Sequence, residues 1–220
     1  MSEKLTLAID ASTYRGTVAV LAGHRLVATS EVAMRGEREE RLMPAIAAAL
    51  GSAGAAIGDV GEVVVGGGPG SFTSLRIGAA LAKGICVARN LPLAAVPSLA
   101  LLVAGTDSVL ADGRYLAILD AMRGDVYAAV IESSGGVVVR VSDPHLAPRA
   151  AVPALARDHG ALVIGAGEPL DGAPHARGLA RLHPSLVQRV SLSAWEPAYG
   201  RLAEAQVKWE TDHGRPLATG

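Results

Sequence analysis

An α/β fold of two lobes related by internal duplication is predicted by three observations. Residues 5–32 read as three short strands joined by tight turns. Residues 63–89 read as a strand buried on both faces, a glycine loop and a helix. Residues 115–141 then repeat the hairpin pattern with which the chain opens.

Along residues 5–11, Leu5, Leu7 and Ile9 fall on one face and Thr6 and Ala8 on the other, the period of a covered strand. Asp10, Ser12, Thr13 and Gly16 turn the chain into a returning strand over 17–21. A third strand over 25–32 follows Gly23-His24, making a meander at the edge of the sheet. A helix is predicted over 37–50, where Leu42, Ile46 and Leu50 recur at spacing four and Met43 widens the stripe. Glu37, Glu39 and Glu40 suit its first turn, and Pro44 implies a late start or a kink.

Val63-Val64-Val65 is β-branched without interruption, as a central strand requires. Gly66, Gly67, Gly68 and Gly70 around Pro69 let the backbone approach another surface, and Ser71 or Thr73 can cap the next helix. The loop therefore suits either tight packing or the binding of a phosphate or partner chain. It lacks the Lys-Ser/Thr ending of a Walker A motif and the third glycine of G-x-G-x-x-G. The helix over 73–89 carries two apolar stripes, one with Leu75 and Cys86 and one with Leu81 and Ile85, so burial on most sides is expected. Cys86 sits within this pattern as a small core residue.

In the second half, strands over 115–120 and 126–132 flank the turn Ala121-Met122-Arg123-Gly124-Asp125, and a third strand covers 137–141. A helix over 150–157 with Pro153 and a strand over 161–165 follow. Residues 171–197 hold little periodicity, and Pro197 opens a last helix. The domain reading is a first lobe over 1–105, a second over 106–197, and a C-terminal helix near 198–213 packing back on the first.

Composition bounds the function. Half of the 220 residues are hydrophobic but only 3% are aromatic, and charged residues make up 19%. A mean hydropathy of +0.33 points to apolar surface covered by another subunit. The formal net charge of -1 argues against a chain that grips nucleic acid by itself. One cysteine excludes an internal disulfide framework, which together with an N-terminus unlike a signal peptide suggests a cytoplasmic protein. No apolar run reaches the ~20 residues of a membrane span.

The six histidines include no pair three to five residues apart, so a helical zinc pair is missing. The acidic candidates are Asp10 and Asp120, each ending the first strand of a lobe, with Asp125 nearby. Asp10 followed by Ser12 and Thr13 resembles the first phosphate loop of actin-like ATPases, where such a carboxylate holds a magnesium-bound water; a turn-forming aspartate is the other reading.

Three separated segments together resemble the TsaB (YeaZ-type) family. They are Leu7-Ala8-Ile9-Asp10-Ala11-Ser12-Thr13, then Gly68-Pro69-Gly70-Ser71-Phe72-Thr73-Ser74-Leu75-Arg76-Ile77-Gly78, then Asp120-Ala121-Met122-Arg123-Gly124-Asp125-Val126-Tyr127. Pro197-Ala198-Tyr199-Gly200-Arg201 is similar to the family's terminal Pro-x-Tyr-Leu-Arg. The chain departs from the family's pattern at Ser74 (usually Gly), Ala11 (Thr), Gly200 (Leu) and Arg38-Glu39 (often His-Ser).

The resemblance implies an actin-like (ASKHA, ribonuclease H-like) fold and a role without catalysis of its own. It implies pairing with a TsaD-type subunit, which transfers threonylcarbamoyl to the tRNA adenosine just after the anticodon, and with a TsaE-type ATPase. Contact with tRNA is then expected only through the complex, ATP or ADP only at a joint interface, and a homodimer when the chain is alone. The partner face is expected on the two helices, at Leu42, Met43, Ile46, Leu50, Leu81 and Ile85. The alternative is an actin-like ATPase or sugar-kinase-type phosphotransferase using Asp10 and the glycine loop. A metallopeptidase, which the family's older naming suggests, is disfavoured by the missing histidine pair.

Overall fold

The computed structural model describes residues 4–34, 41–200 and 213. Strands β1 (Leu5–Asp10), β2 (Arg15–Ala22) and β3 (Arg25–Ala33) form the antiparallel meander at one edge of the first sheet. Helix α1 (Leu42–Ser52) follows. It begins after Arg41, so Pro44 falls in the first turn, where its missing N–H costs no helical bond. Glu37, Glu39 and Glu40 lie outside the described residues.

Strand β4 (Val60–Gly66) runs parallel to β1, and its Val63, Val64 and Val65 are buried on both faces. Helix α2 (Phe72–Arg89) carries the chain to β5 (Leu93–Val96), parallel to β4. Asn90, left-handed at φ 51°, ends α2.

Helix α3 (Ser98–Ala104) is only seven residues long, too short to persist by its own propensity. All seven are buried because α3 lies between the two sheets. Strands β6 (Gly113–Asp120), β7 (Asp125–Ser134) and β8 (Val137–Val141) form a second antiparallel meander. Strand β9 (His145–Pro148) also pairs with β7. Helix α4 (Val152–His159), with Pro153 in its first turn, leads to β10 (Leu162–Ile164), parallel to β6.

The strand orders β4-β1-β2-β3 and β10-β6-β7-β8 are equivalent, each a meander with a parallel strand beside its first member. This is the duplication expected of the actin-like fold. Layers run from α1 and α2, through the first sheet, α3 and the second sheet, to α4. The region that periodicity left unassigned holds 3-10 turns at Ala176–Arg181 and Pro184–Leu186 and a strand, β11 (Gln188–Val190). Although the sequence reading carries the second lobe to 197, β11 pairs with β5 in the first sheet. The C-terminal helix near 198–213 falls largely outside the described residues. Among those described, no helix is long and apolar enough to cross a membrane.

Candidate functional site

Asp10 is the hub of the region built by the three sequence motifs. It ends β1, is 1% exposed, and its hydrogen bonds come from serines. Its Oδ1 accepts from Ser12 N (3.0 Å) and Ser12 Oγ (2.7 Å), and its Oδ2 accepts from Ser98 Oγ (2.7 Å). Ser98 Oγ in turn accepts from Gly68 N at 3.0 Å. The carboxylate thus ties the end of β1 to the glycine loop and to the first residue of α3. Burial pushes its pKa above the ordinary carboxylate value, and the hydrogen bonds from Ser98 and Ser12 oppose that only in part.

The glycine loop is closely packed against side chains and backbone. A Cβ on Gly66 would land on Asp10 Oδ2, one on Gly70 on the Ser12 carbonyl, and one on Gly68 on the Ala198 carbonyl. Gly68 also has φ +90°, and the Gly68–Pro69 peptide is cis. Three loop N–H groups that could face an anion are already engaged: Gly67 with Val96 O, Gly68 with Ser98 Oγ, and Ser71 with Ser12 O. Ser71 occupies the N-cap of α2, but its hydroxyl meets Ser74 Oγ at 3.0 Å rather than a backbone N–H. Ser74 is accommodated there at 3% exposure. Thr73 is exposed and caps nothing.

The loop's outer side meets residues from far along the chain. Ala198 N donates to Gly67 O (2.8 Å), and the Phe72 and Tyr199 rings lie 4.6 Å apart. Arg76 stacks over Phe72 at 5.4 Å. Tyr127, buried on β7, donates its hydroxyl to Tyr199 O at 3.3 Å. The second-lobe motif therefore touches the first through the 198–200 segment. Asp120 Oδ1 accepts from Met122 N (3.2 Å), and Met122 and Arg123 both adopt left-handed backbone at φ 63° and 58°. Asp120 is thus a turn former, and Arg123 and Met122 line an interlobe cleft of roughly 1140 Å³. Ser12, Thr13, Phe72 and Tyr199 line the same cleft, whereas Asp10 does not.

Of the six residues expected on a partner face, the structure buries four. Leu42 (0%), Ile46 (1%), Leu50 (5%) and Ile85 (7%) point inward onto Val18, Val20, Val63 and their neighbours. The periodicity located the apolar stripe correctly, but the stripe is core. Met43 is 44% exposed and Leu81 half-buried. The open side of α1 carries Met43, Pro44, Ala47 and Ala48; that of α2 carries Ala80, Gly84, Val87 and Ala88 beside Ile77 and Leu81. Val87 is 69% exposed. Helix α2 is therefore buried on one side only, contrary to the expectation of burial on most sides.

Cys86 is fully buried, its thiol pushed up to about 11 by burial and by the charge of Glu62. It donates weakly to Pro92 O and is a core residue. Ser98 escaped sequence reasoning, and the sequence marked residues 198–200 as a family motif and a helix start without their contacts to the glycine loop and Tyr127. Ser98 reads as an ordinary residue after Pro97, and only the fold brings it to Asp10.

The family model described as TsaD, tRNA N6-adenosine threonylcarbamoyltransferase, matches residues 31–160. The tRNA threonylcarbamoyladenosine biosynthesis protein TsaB of Bacillus subtilis (strain 168) is 35% identical over 135 residues, 61% of this chain and 58% of that protein. Its namesake in Escherichia coli (strain K12) is 34% identical over 123 residues, 56% of this chain and 53% of that protein. The alignments thus span little more than half the length of these curated relatives. The crystal structure of a Pseudomonas aeruginosa protein with similarity to peptidase YEAZ superposes with a TM-score of 0.73 at 27% identity, covering 90% of this chain and 100% of that one.

Proposed function

Because the chain belongs to the TsaB (YeaZ-type) family, we propose that it acts in tRNA threonylcarbamoyladenosine biosynthesis as a non-catalytic subunit that binds and stabilises a TsaD-type transferase. The observation that carries this reading is the exposed apolar side of α1 and α2. Ala47, Ala48, Ala80, Gly84, Val87 and Ala88 are exposed, uncharged and small, so a partner helix can approach their backbones closely. A stable contact needs roughly 800 Å² per partner, which two neighbouring helices and their flanks can supply.

The absence of catalysis in this reading is supported by how the actin-like elements are used. Both oxygens of Asp10 are taken by serines, and three loop N–H groups are taken by protein acceptors. A phosphate-binding role would need those groups turned toward the cleft. The phosphotransferase alternative has no comparable geometric support. The chain brings no cofactor of its own, and ATP or ADP is held, on this reading, only at the joint interface. A TsaE-type ATPase joins the pair, tRNA is met through the complex, and without its partner the chain self-associates through the same helical face.

Co-purification with a TsaD-type subunit tests the proposal. Val87→Asp combined with Ala80→Glu leaves the fold intact, since both sites are open, and weakens the complex about tenfold or more by placing charge in an apolar contact. Undiminished binding by this variant contradicts the assigned face. Light scattering on the unpartnered chain should show a dimer that the same variant dissociates.

A further inference from the structure

We propose that His175 is a proton-sensitive latch: its neutral ring fastens the 171–181 segment to the edge strand β3, and protonation of Nδ1 releases the turn that the ring caps.

The ring is placed to read one proton. His175 is 4% exposed and caps the Ala176–Arg181 turn, its Nδ1 accepting from Arg177 N at 3.0 Å. An Nδ1 that accepts carries a lone pair, so in the neutral ring the proton sits on Nε2. Nε2 faces Glu31 Oε1 on β3 at 3.0 Å and donates to it. Adding a proton puts Nδ1–H against the Arg177 N–H, two donors with no acceptor between them. The ring must then turn or the turn must lift.

The surroundings set the balance. Burial and the Arg177 guanidinium push His175 below the ordinary imidazole value, with Arg15 adding to this, while Glu31 pulls it back up. Arg15 is itself paired with Glu31 (3.1 Å) and Arg177 with Asp107 (2.7 Å), so those are the charges that bear on the ring from β2, β3, the turn and the loop after α3. The ring's neighbours depend on it. Ala176, fully buried, donates its N–H to Thr17 Oγ1 at 3.0 Å on β2, and Ala176 packs with Ala8, Ala19 and Leu21 on the sheet. Gly172 and Ala173, at the head of the same segment, form part of the interlobe cleft wall. Release of the latch therefore loosens one wall of that cleft.

Nitrogen NMR of the imidazole in the full chain, with amide exchange at residues 176–179, tests the latch. The expected ring is the Nε2–H tautomer, becoming charged only below the free-imidazole range near about 6.5. After correction for intrinsic rates, protection at 176–179 should fall by up to about tenfold between pH 7.5 and 5.5, the limit for one proton taken up by the released ring at the free-imidazole value of about 6.5. Glu31→Gln keeps an acceptor for Nε2–H but removes the charge that favours imidazolium, so His175 should titrate at lower pH than in the wild type. An Nδ1–H tautomer, titration at or above the ordinary range, exchange without a pH step, or an upward move in Glu31→Gln overturns the proposal.

Discussion

Asp10, the carboxylate that the sequence offers as a catalytic candidate, is held by serines at the junction of three elements. Its carboxylate joins β1, the glycine loop and α3 through Ser12 and Ser98. Asp10→Asn keeps the shape, because an amide nitrogen can donate to Ser98 Oγ, which has a second lone pair. Its stability should stay within about 1 kcal/mol of wild type at pH 7, whereas Asp10→Ala strands three buried donor bonds and costs about 2–3 kcal/mol. The pH dependence has a definite sign. The folded pKa of Asp10 lies above the unfolded one. Its contribution is therefore complete below about 4 and is lost as the pH rises through the folded value. Asp10→Asn should accordingly gain on wild type from pH 4 upward in denaturant titrations. Gly70 is the second test at this scale. Its missing Cβ leaves room for the Ser12 carbonyl, so Gly70→Ala should cost about 2–3 kcal/mol. The sequence marked both residues as special, but it could not distinguish a binding loop from a packed one. That distinction rests on Ser98, which lies 88 positions from Asp10, and on Ala198, far along the chain from the Gly67 it bonds; neither contact follows a local pattern.

At the scale of elements, periodicity placed α2 and most strands within a few residues of where they lie. It was less informative about direction. The stripe Leu42, Ile46, Leu50 identified the apolar side of α1, and that side faces the sheet. Helices built from Ala, Gly and Val are apolar on their outer side too, so hydropathy alone does not tell core from interface. Strands of three or four residues, such as β9 and β11, are too short for a period to emerge. Two substitutions on α2 separate its two sides. A Cβ at Gly84 meets nothing within 4 Å, and Gly84 is in a helix interior, so Gly84→Ala should stabilise the isolated chain by about 0.5–1 kcal/mol. On the inner side, Leu75→Ala, at 2% exposure, should cost about 2–5 kcal/mol. Thermal and denaturant unfolding measure both.

For the whole molecule, the duplication was legible because each lobe opens with the same hairpin signal. The seating of α3 between the two sheets was not, since its seven residues differ little from any short apolar helix. That seating makes the lobes share one core, and the 198–200 segment ties the glycine loop to Tyr127 across them. The chain then offers a preformed scaffold whose open side is helical and apolar. The central claim is that this side, and not Asp10, carries the function. Threonylcarbamoyl transfer to tRNA, reconstituted from TsaD-type and TsaE-type subunits with this chain added, tests it most directly. Asp10→Asn should support transfer at the wild-type rate, and the Val87→Asp, Ala80→Glu variant should support little or none. Loss of transfer with Asp10→Asn, together with full transfer by the helix variant, would contradict it.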